Sequence, residues 1–209
     1  MEARIPVGVP GQTLSLSFEA LAGAAAGEHT VSLIGRSVIP ETVARDVAVR
    51  VLPSQGAIDF RVVSGGFLST APVASFEMAG KLLYRVHGGG VGRGFNFLTI
   101  DPQSGVLGPV RAFDTWANDE DVVAMETYLK ALPEGVVVLA AIADEGSAKI
   151  TGATRRLLRE NLASGLIERL AFRYSWAIVS RKGAARPIAE GLSPNGLVVL
   201  NETLTFPMP

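Results

Sequence analysis

Short runs of alternating apolar and polar residues recur along the first third of the chain. Leu14, Leu16 and Phe18 alternate with serine or other polar residues, and residues 47–51 and 58–62 repeat the pattern. A period of two is typical of half-buried β-strands, and the breakers Pro10-Gly11, Pro40, Pro53 and Gly65-Gly66 separate the runs. The pattern predicts a small all-β module over residues 1–70, in which 22–27 form either a loop or one short helix.

From residue 71 onward, strand patterns and helix patterns are mixed. Strands are predicted at 74–78, 81–87, 94–100, 108–113 and 136–142, and two more contain the alternating aromatic residues of 172–178 and the run 197–204. One helix is predicted to begin after Asn118 and to stop at Pro133, and a second to begin near Thr151 and end before Gly165. Because strands and helices do not alternate regularly, the class predicted for 71–209 is α+β.

Composition excludes several kinds of partner. The chain has 209 residues, a net charge of −1 and no cysteine, so no strong electrostatic field favours nucleic acid. The longest apolar run, 136–143, is too short to span a bilayer, and the first residues show no signal-peptide pattern. We therefore expect a soluble protein without disulfides, membrane insertion or bound nucleic acid.

The motifs that could indicate a cofactor or metal site lack the features that such a site requires. The glycine-rich stretch 88–94 lacks the spacing of a dinucleotide or phosphate loop and is followed by a strand rather than a helix. His29 and His87 have no partner at metal-ligand spacing, and no nucleophile motif of a serine hydrolase is present. The sequence predicts no cofactor, no metal and no catalytic residue.

Candidate binding residues are two arginines and the carboxylates near them. Asp144 and Glu145 follow a predicted buried strand, where a structural role, a ligand role and a catalytic role all remain open. Arg93 lies in a glycine turn, and Arg173 lies in a predicted strand, where it needs an acceptor such as Asp144. An Arg–Asp–Arg network without a ligand is the structural alternative. Asp114 is expected to cap local backbone, with a ligand role as the second possibility.

Aromatic residues near these positions could stack on a sugar, although packing is the more common role. Trp116, Trp176, Phe113 and Phe172 are all interpreted as core residues.

Several motifs stand in a familiar order: ASFEMAG at 74–80, VGRGFNFLTID at 91–101, RAFDTW at 111–116, ADEGSAKITGATRRLL at 143–158 and LAFRYSWAIVSRKG at 170–183. Together they resemble the interleukin-like EMT inducer (ILEI) or GG domain family. The resemblance implies two antiparallel sheets flanked by short helices over 71–209. The chain departs from animal members of the family in lacking cysteine, in Ser180-Arg181 before the KG pair, and in Tyr174.

The resemblance also implies a site. In one family member, the stem domain of a glycosyltransferase, two arginines and an aspartate hold a sugar, and the matching positions here are Arg93, Asp144 and Arg173. Asp114 and Glu145 complete the predicted carbohydrate site.

Because the family also occurs in phage tail fibres, the leading hypothesis is a non-enzymatic phage virion component, located in the tail or capsid, that binds cell-surface glycan. If it is not a virion component, the protein is expected to be bacterial. The expected partners are further copies in a symmetric homo-oligomer and other virion proteins, the latter bound through residues 1–70. Alternatives are a purely structural virion or capsid decoration protein and a carbohydrate-active enzyme.

Overall fold

A computed structural model of the chain describes residues 27–36, 42–51, 56–89 and 91–206. The chain divides into two compact units, Met1–Val51 and Leu52–Pro209. Within the first unit, β1 (Gly27–Arg36) and β2 (Thr42–Val51) form an antiparallel pair in which Gly27 lies opposite Val51. The strand predicted around Leu14 to Phe18 lies outside the described residues.

The described part of the second unit contains nine strands and two α-helices. The strands are β3 (Gly56–Gly66), β4 (Val73–Met78), β5 (Lys81–His87), β6 (Gly94–Ile100), β7 (Arg111–Phe113), β8 (Val137–Asp144), β9 (Ser175–Arg181), β10 (Ala189–Ser193) and β11 (Val198–Phe206). The helices are α1 (Asp119–Ala131) and α2 (Gly152–Leu162), and a short 3₁₀ turn spans Ile167–Arg169. The class is therefore α+β, as the sequence predicts. None of the described helices combines the length and apolarity that a membrane crossing requires.

The nine strands form one sheet with two antiparallel parts. One part has the order β11-β3-β4-β5, and the other has the order β10-β9-β8-β6-β7. A short parallel pairing joins them, in which Gly65 and Gly66 of β3 lie opposite Ala143 and Asp144 of β8. The ends of β3 and β8 therefore meet at this seam.

Strand β8 supplies the centre of the core because both of its faces are covered. Val138, Ala140 and Ile142 pack with residues of α1 and α2, whereas Val137, Leu139 and the following odd-numbered alanines pack with β3, β4 and β11. Residues of a strand point alternately to opposite faces, so a continuous apolar run is what a strand between two layers needs. All residues of β8 except Asp144 are buried.

The helices begin where the sequence predicts. Asn118 is the N-cap of α1, although its side chain makes no capping hydrogen bond, and three acidic residues in the first turn complement the helix dipole. Thr151 caps α2, accepting hydrogen bonds from the N–H groups of Ala153 and Thr154. Helix α2 ends earlier than expected, because Ala163 rather than Gly165 adopts the left-handed conformation after it.

The boundary between the units differs from the predicted one. The alternation at 58–62 marks a real strand, but β3 pairs with β4, β8 and β11 of the second unit. The division therefore falls after Val51 and not at residue 70. Local periodicity identifies a strand without identifying its partners, and the main partner of β3 is β11, the last of the described strands.

Candidate functional site

The candidate site lies at the seam, around the last residue of β8. Asp144 has a positive φ of 65°, and its carbonyl oxygen accepts a hydrogen bond of 2.8 Å from the N–H of Phe67. On the other side of β8, Gly94 lies opposite Ala143, so Arg93 enters β6 beside Asp144. The topology thus brings segments that are distant in sequence to one edge of the fold.

Two glycines allow this close approach. A Cβ atom at Gly94, which has a φ of 89°, would lie 2.1 Å from the carbonyl oxygen of Phe113. A Cβ atom at Gly88 would lie 2.5 Å from the Cβ of Asp144. Both distances are far shorter than any real contact of a Cβ atom, so only glycine fits. Gly88 and Gly94 are accordingly positions of close packing beside β6.

Arg93 is held by Asp114 and not by Asp144. Its Nε donates to both carboxylate oxygens of Asp114, at 3.0 and 3.2 Å, and its Nη2 donates to Oδ2 at 2.7 Å. The hydrogen bond to Asp114 raises the pKa of Arg93. Burial alone would raise the pKa of Asp114, but hydrogen bonds from Arg93 and from the N–H of Ala117 outweigh burial and leave that pKa lowered. Both groups therefore remain charged at neutral pH.

Asp114 also organises the turn that follows β7. Its Oδ1 accepts hydrogen bonds from the backbone N–H groups of Trp116, at 3.3 Å, and Ala117, at 3.1 Å. The expected backbone-capping role of Asp114 is thus present, in addition to the ion pair. The turn places the ring of Trp116 under the guanidinium of Arg93, 4.2 Å from its Cζ atom to the ring centroid.

Arg173 lies in a turn before β9 and not within a strand, which corrects the sequence interpretation. Its φ is 66°, and its guanidinium lies over the rings of Phe67 and Phe172, at 4.1 and 4.8 Å from the centroids. Among the described residues, Arg173 has no ion-pair partner. The Arg–Asp–Arg network, which was the structural alternative to a ligand site, therefore does not form among these residues.

Glu145 has the structural role that was considered for Asp144. Its side chain is 2% exposed and accepts hydrogen bonds from the backbone N–H groups of Ser147 and Arg173. These bonds fix the loop after β8 to the turn before β9. Glu145 is thus directed into the protein, whereas the carboxylate of Asp144 is partly exposed and makes no hydrogen bond to the described residues. The charge of Arg93 attracts this free carboxylate.

Two of the four aromatic residues interpreted as core lie at the surface. Trp116 is 43% exposed and Phe172 is 53% exposed, whereas Phe113 and Trp176 are buried. Phe67 belongs to the same surface, with 49% exposure, and nothing in the sequence pattern singles it out. The positive φ at Arg173 explains the error at Phe172, because a turn interrupts the alternation of strand faces.

Comparison with known proteins identifies this part of the chain. Residues 93–184 match the family model described as Interleukin-like EMT inducer. Residues 93–184 belong to the interleukin-like EMT inducer family. The family resemblance seen in the motifs is therefore confirmed, and all five predicted site residues lie within the matched range.

Individual relatives of the domain come from vertebrates. Protein FAM3A of Homo sapiens is 39% identical over 124 residues, which cover 59% of this chain and 52% of the relative. Protein FAM3C of Rattus norvegicus is 38% identical over 93 residues, covering 44% and 40%, and human Protein FAM3D is 29% identical over 123 residues, covering 59% and 53%. The chain spans about half the length of these relatives or less.

These relatives correct the functional hypothesis. They are vertebrate proteins and not phage virion proteins, so the prediction of a phage tail or capsid component is wrong. The predicted location in a virion or a bacterium is wrong for the same reason. The matching motifs define the domain and not the kind of organism that carries it.

In the interleukin-like EMT inducer domain, the five predicted residues thus have three different placements. Arg93, Asp114 and Asp144 come together, Arg173 stands beside the same seam, and Glu145 is buried beneath it. No group of three histidine, aspartate or glutamate side chains in the described residues is arranged to hold a metal ion. The site offers one free carboxylate, two arginines and exposed aromatic rings.

Proposed function

We propose that the domain is a non-enzymatic binding domain whose ligand is carbohydrate, bound at the surface around Asp144. The observation that carries the proposal is the state of Asp144. Its carboxylate is partly exposed, lies beside the charge of Arg93, and receives no hydrogen bond from the described residues. A carboxylate in this position is ready to accept hydrogen bonds from the hydroxyl groups of a ligand.

The neighbouring side chains suit a sugar as well. Guanidinium groups donate hydrogen bonds to ring and acetamido oxygens, and Arg173 has no carboxylate partner among the described residues to compete for them. The exposed rings of Phe67, Phe172 and Trp116 offer apolar faces for the C–H groups of a sugar ring. Stacking against these rings also limits the motion of both guanidinium groups, which lowers the entropy cost of binding.

Backbone conformation supports a functional role for the same residues. Asp144 and Arg173 both have φ values near +65°, a region that residues other than glycine rarely adopt. Such strain costs on the order of 1–3 kcal/mol and is concentrated at functional sites. Both strained residues occupy positions that the family resemblance assigns to ligand binding.

The arrangement of the carboxylates favours ligand binding over catalysis. Glycoside hydrolysis needs two carboxyl groups that face one bond. Glu145 is buried against backbone N–H groups, and Asp114 is held by Arg93, so neither matches the free carboxylate of Asp144. The family description, an interleukin-like inducer, also names a signalling protein rather than an enzyme.

The proposal extends to assembly. The first unit, to which the β1–β2 pair belongs, serves as a small all-β attachment or self-association module. Single-sided, shallow sugar sites bind weakly, and a homo-oligomer would raise their avidity. Analytical ultracentrifugation of the full chain and of a chain beginning at Leu52 tests this role. A monomer in both cases would contradict it.

A glycan array probed with the full chain tests the binding proposal. Asp144→Asn removes the acceptor charge, and Arg173→Ala removes the stacked donor. We expect both variants to lose binding while their melting temperatures stay close to that of the wild type.

Two exposed residues provide matched controls for these variants. Glu160→Gln and Arg186→Ala change the same charges at positions whose side chains make no hydrogen bond or ion pair to the described residues. Both controls should bind like the wild type. Absence of glycan binding by the wild type, or binding unaffected by either site substitution, would overturn the proposal.

A further inference from the structure

A groove lies at the other end of β6 from the candidate site. It has a volume of about 560 Å³ and is formed by the end of β6, the loop that follows it and the C-terminal part of α1. The groove and the seam lie at opposite ends of β6, a strand of seven residues, which corresponds to about 20 Å. Its apolar walls include Val106, Leu107, Leu132 and Val136. A groove of this size is typical of sites for small molecules.

Two unused hydrogen-bond donors line this groove. Arg111 is exposed, and its side chain makes no hydrogen bond or ion pair with the described residues. The hydroxyl of Tyr128 is buried and lies beside the side chain of Thr99, but it makes no hydrogen bond of acceptable geometry. A buried hydroxyl without a partner is uncommon in folded proteins, which points to an acceptor supplied by a ligand.

The side chains of Arg111 and Tyr128 lie close enough to each other to interact within the groove. Burial raises the pKa of Tyr128 to about 12, and the charge of Arg111 is close enough to act in the opposite direction. The hydroxyl therefore stays protonated at neutral pH and can donate. Arg111 adds a positive charge beside it, so the chemistry favours an anionic acceptor over a neutral one.

The acidic residues of the groove are already bound elsewhere. Oδ1 of Asp101 accepts from the N–H groups of Gln103 and Ser104 and from the hydroxyl of Ser104. Glu134 pairs with Lys182 at 3.5 Å.

The partial negative charge at the C-terminal end of α1 also has a partner, Lys182. The amino group of Lys182 also donates to the carbonyl oxygens of Lys130 and Leu132. These contacts offset the negative end of the helix dipole, so Arg111 is the cation of the groove that has no ion-pair partner among the described residues.

We infer that this groove binds a small amphipathic carboxylate. The apolar tail covers the walls formed by Leu107, Leu132 and Val136, and the carboxylate accepts hydrogen bonds from Arg111 and Tyr128. This site is separate from the surface around Asp144, so it does not depend on the function proposed there.

Octanoate and 1-octanol are suitable probes because they share a tail and differ in the charged group. Calorimetric titration of the full chain with octanoate should show binding at least about tenfold tighter than with 1-octanol. Two-dimensional amide NMR should place the shifted resonances at 99–111 and 128–136, with those of 143–145 and 172–174 unchanged.

Arg111→Gln should weaken octanoate binding about tenfold and leave 1-octanol unaffected. Tyr128→Phe should weaken octanoate binding several-fold while keeping the ring contacts with Phe97 and Phe113. Arg156→Gln, at an exposed position of α2, is the matched control and should bind like the wild type.

Three results would overturn the inference: equal affinity for the two probes, resonance shifts at the Asp144 surface instead of the groove, or octanoate affinity unchanged in either groove variant. Melting curves of all variants establish that the fold is retained.

Discussion

Arg93 and Asp114 form a two-pronged ion pair that joins the start of β6 to the turn after β7. Nε and Nη2 of the guanidinium both donate to the carboxylate, and each side chain is only about one-fifth exposed. The planar fork of arginine matches a carboxylate in a way that lysine cannot. This pair therefore fixes the guanidinium above Trp116 and sets one border of the candidate site.

Breaking this pair should destabilise the domain measurably. We expect Arg93→Lys to lower the free energy of unfolding by about 2 kcal/mol, because Asp114 loses the forked, charge-assisted hydrogen bonds. Urea denaturation measures the change. The exposed pair of Arg159 and Glu168 is the control, and Arg159→Lys should cost less than about 1 kcal/mol. Equal costs at the two pairs would contradict the structural importance of Arg93.

Low pH should lower the stability of the domain, partly through protonation of Asp114. The pKa of this carboxyl is lower in the folded protein than in the unfolded chain, so the unfolded state binds the proton first as the pH falls. The stabilisation is fully present above the unfolded pKa of about 4 and is lost as the pH falls through the folded value. Asp114→Asn should flatten the pH dependence of the unfolding free energy between about pH 5 and pH 2. Parallel curves for wild type and variant would show that this carboxyl does not contribute.

Removing the hydroxyl of Tyr128 should not harm stability. A buried donor without a partner costs about 1–3 kcal/mol, and phenylalanine preserves the ring contacts with Phe97 and Phe113. We therefore expect Tyr128→Phe to leave the free energy of unfolding unchanged or to raise it by about 1 kcal/mol. Thermal and urea denaturation both test this. A loss of more than about 1 kcal/mol would indicate that the hydroxyl has a partner in solution.

Substitution of Glu190 should lower the free energy of unfolding more than the position of this residue in a short strand suggests. Its carboxylate accepts hydrogen bonds from the hydroxyl of Ser164, from the N–H groups of Gly165 and Leu166, and from Nε1 of Trp176. In Glu190→Gln, an amide NH₂ group replaces one acceptor, so at least one donor loses its partner. The expected cost is about 2 kcal/mol in urea denaturation.

Glu202→Gln is the control for this substitution, since it changes the same group in strand β11, at a position whose side chain makes no hydrogen bond to the described residues. Its effect should stay within about 0.5 kcal/mol. Similar losses for the two variants would mean that Glu190 does not organise this corner.

Local sequence patterns predicted most of the second unit. The bounds of β5 and β6 match the predicted strands, and the starts of both helices follow their capping residues. Strand β10 was missed because its five residues show no clear alternation and are all partly buried. Strand β3 was recognised but assigned to the wrong unit, since its pairing with β11 depends on residues far away in sequence.

The candidate site was harder to predict than the fold. Two adjacent carboxylates look equivalent in sequence, and only the left-handed backbone at Asp144 decides that Glu145 turns inward. The partner of Arg93 was also misjudged, because Asp114 reaches it through a turn whose geometry is set by Asp114 itself. The motif resemblance pointed to residues that lie close to one another, without identifying which of them bind each other.

The pairing of β3 with β11 has a consequence for the order of folding. Gly56 lies opposite Phe206, so one edge of β3 stays open during synthesis until the last described strand has left the ribosome. Contacts of such long sequence separation form slowly, because the intervening loop must close first. The domain should therefore complete its sheet only after translation has passed residue 206, and the nascent chain is exposed to mispairing until then.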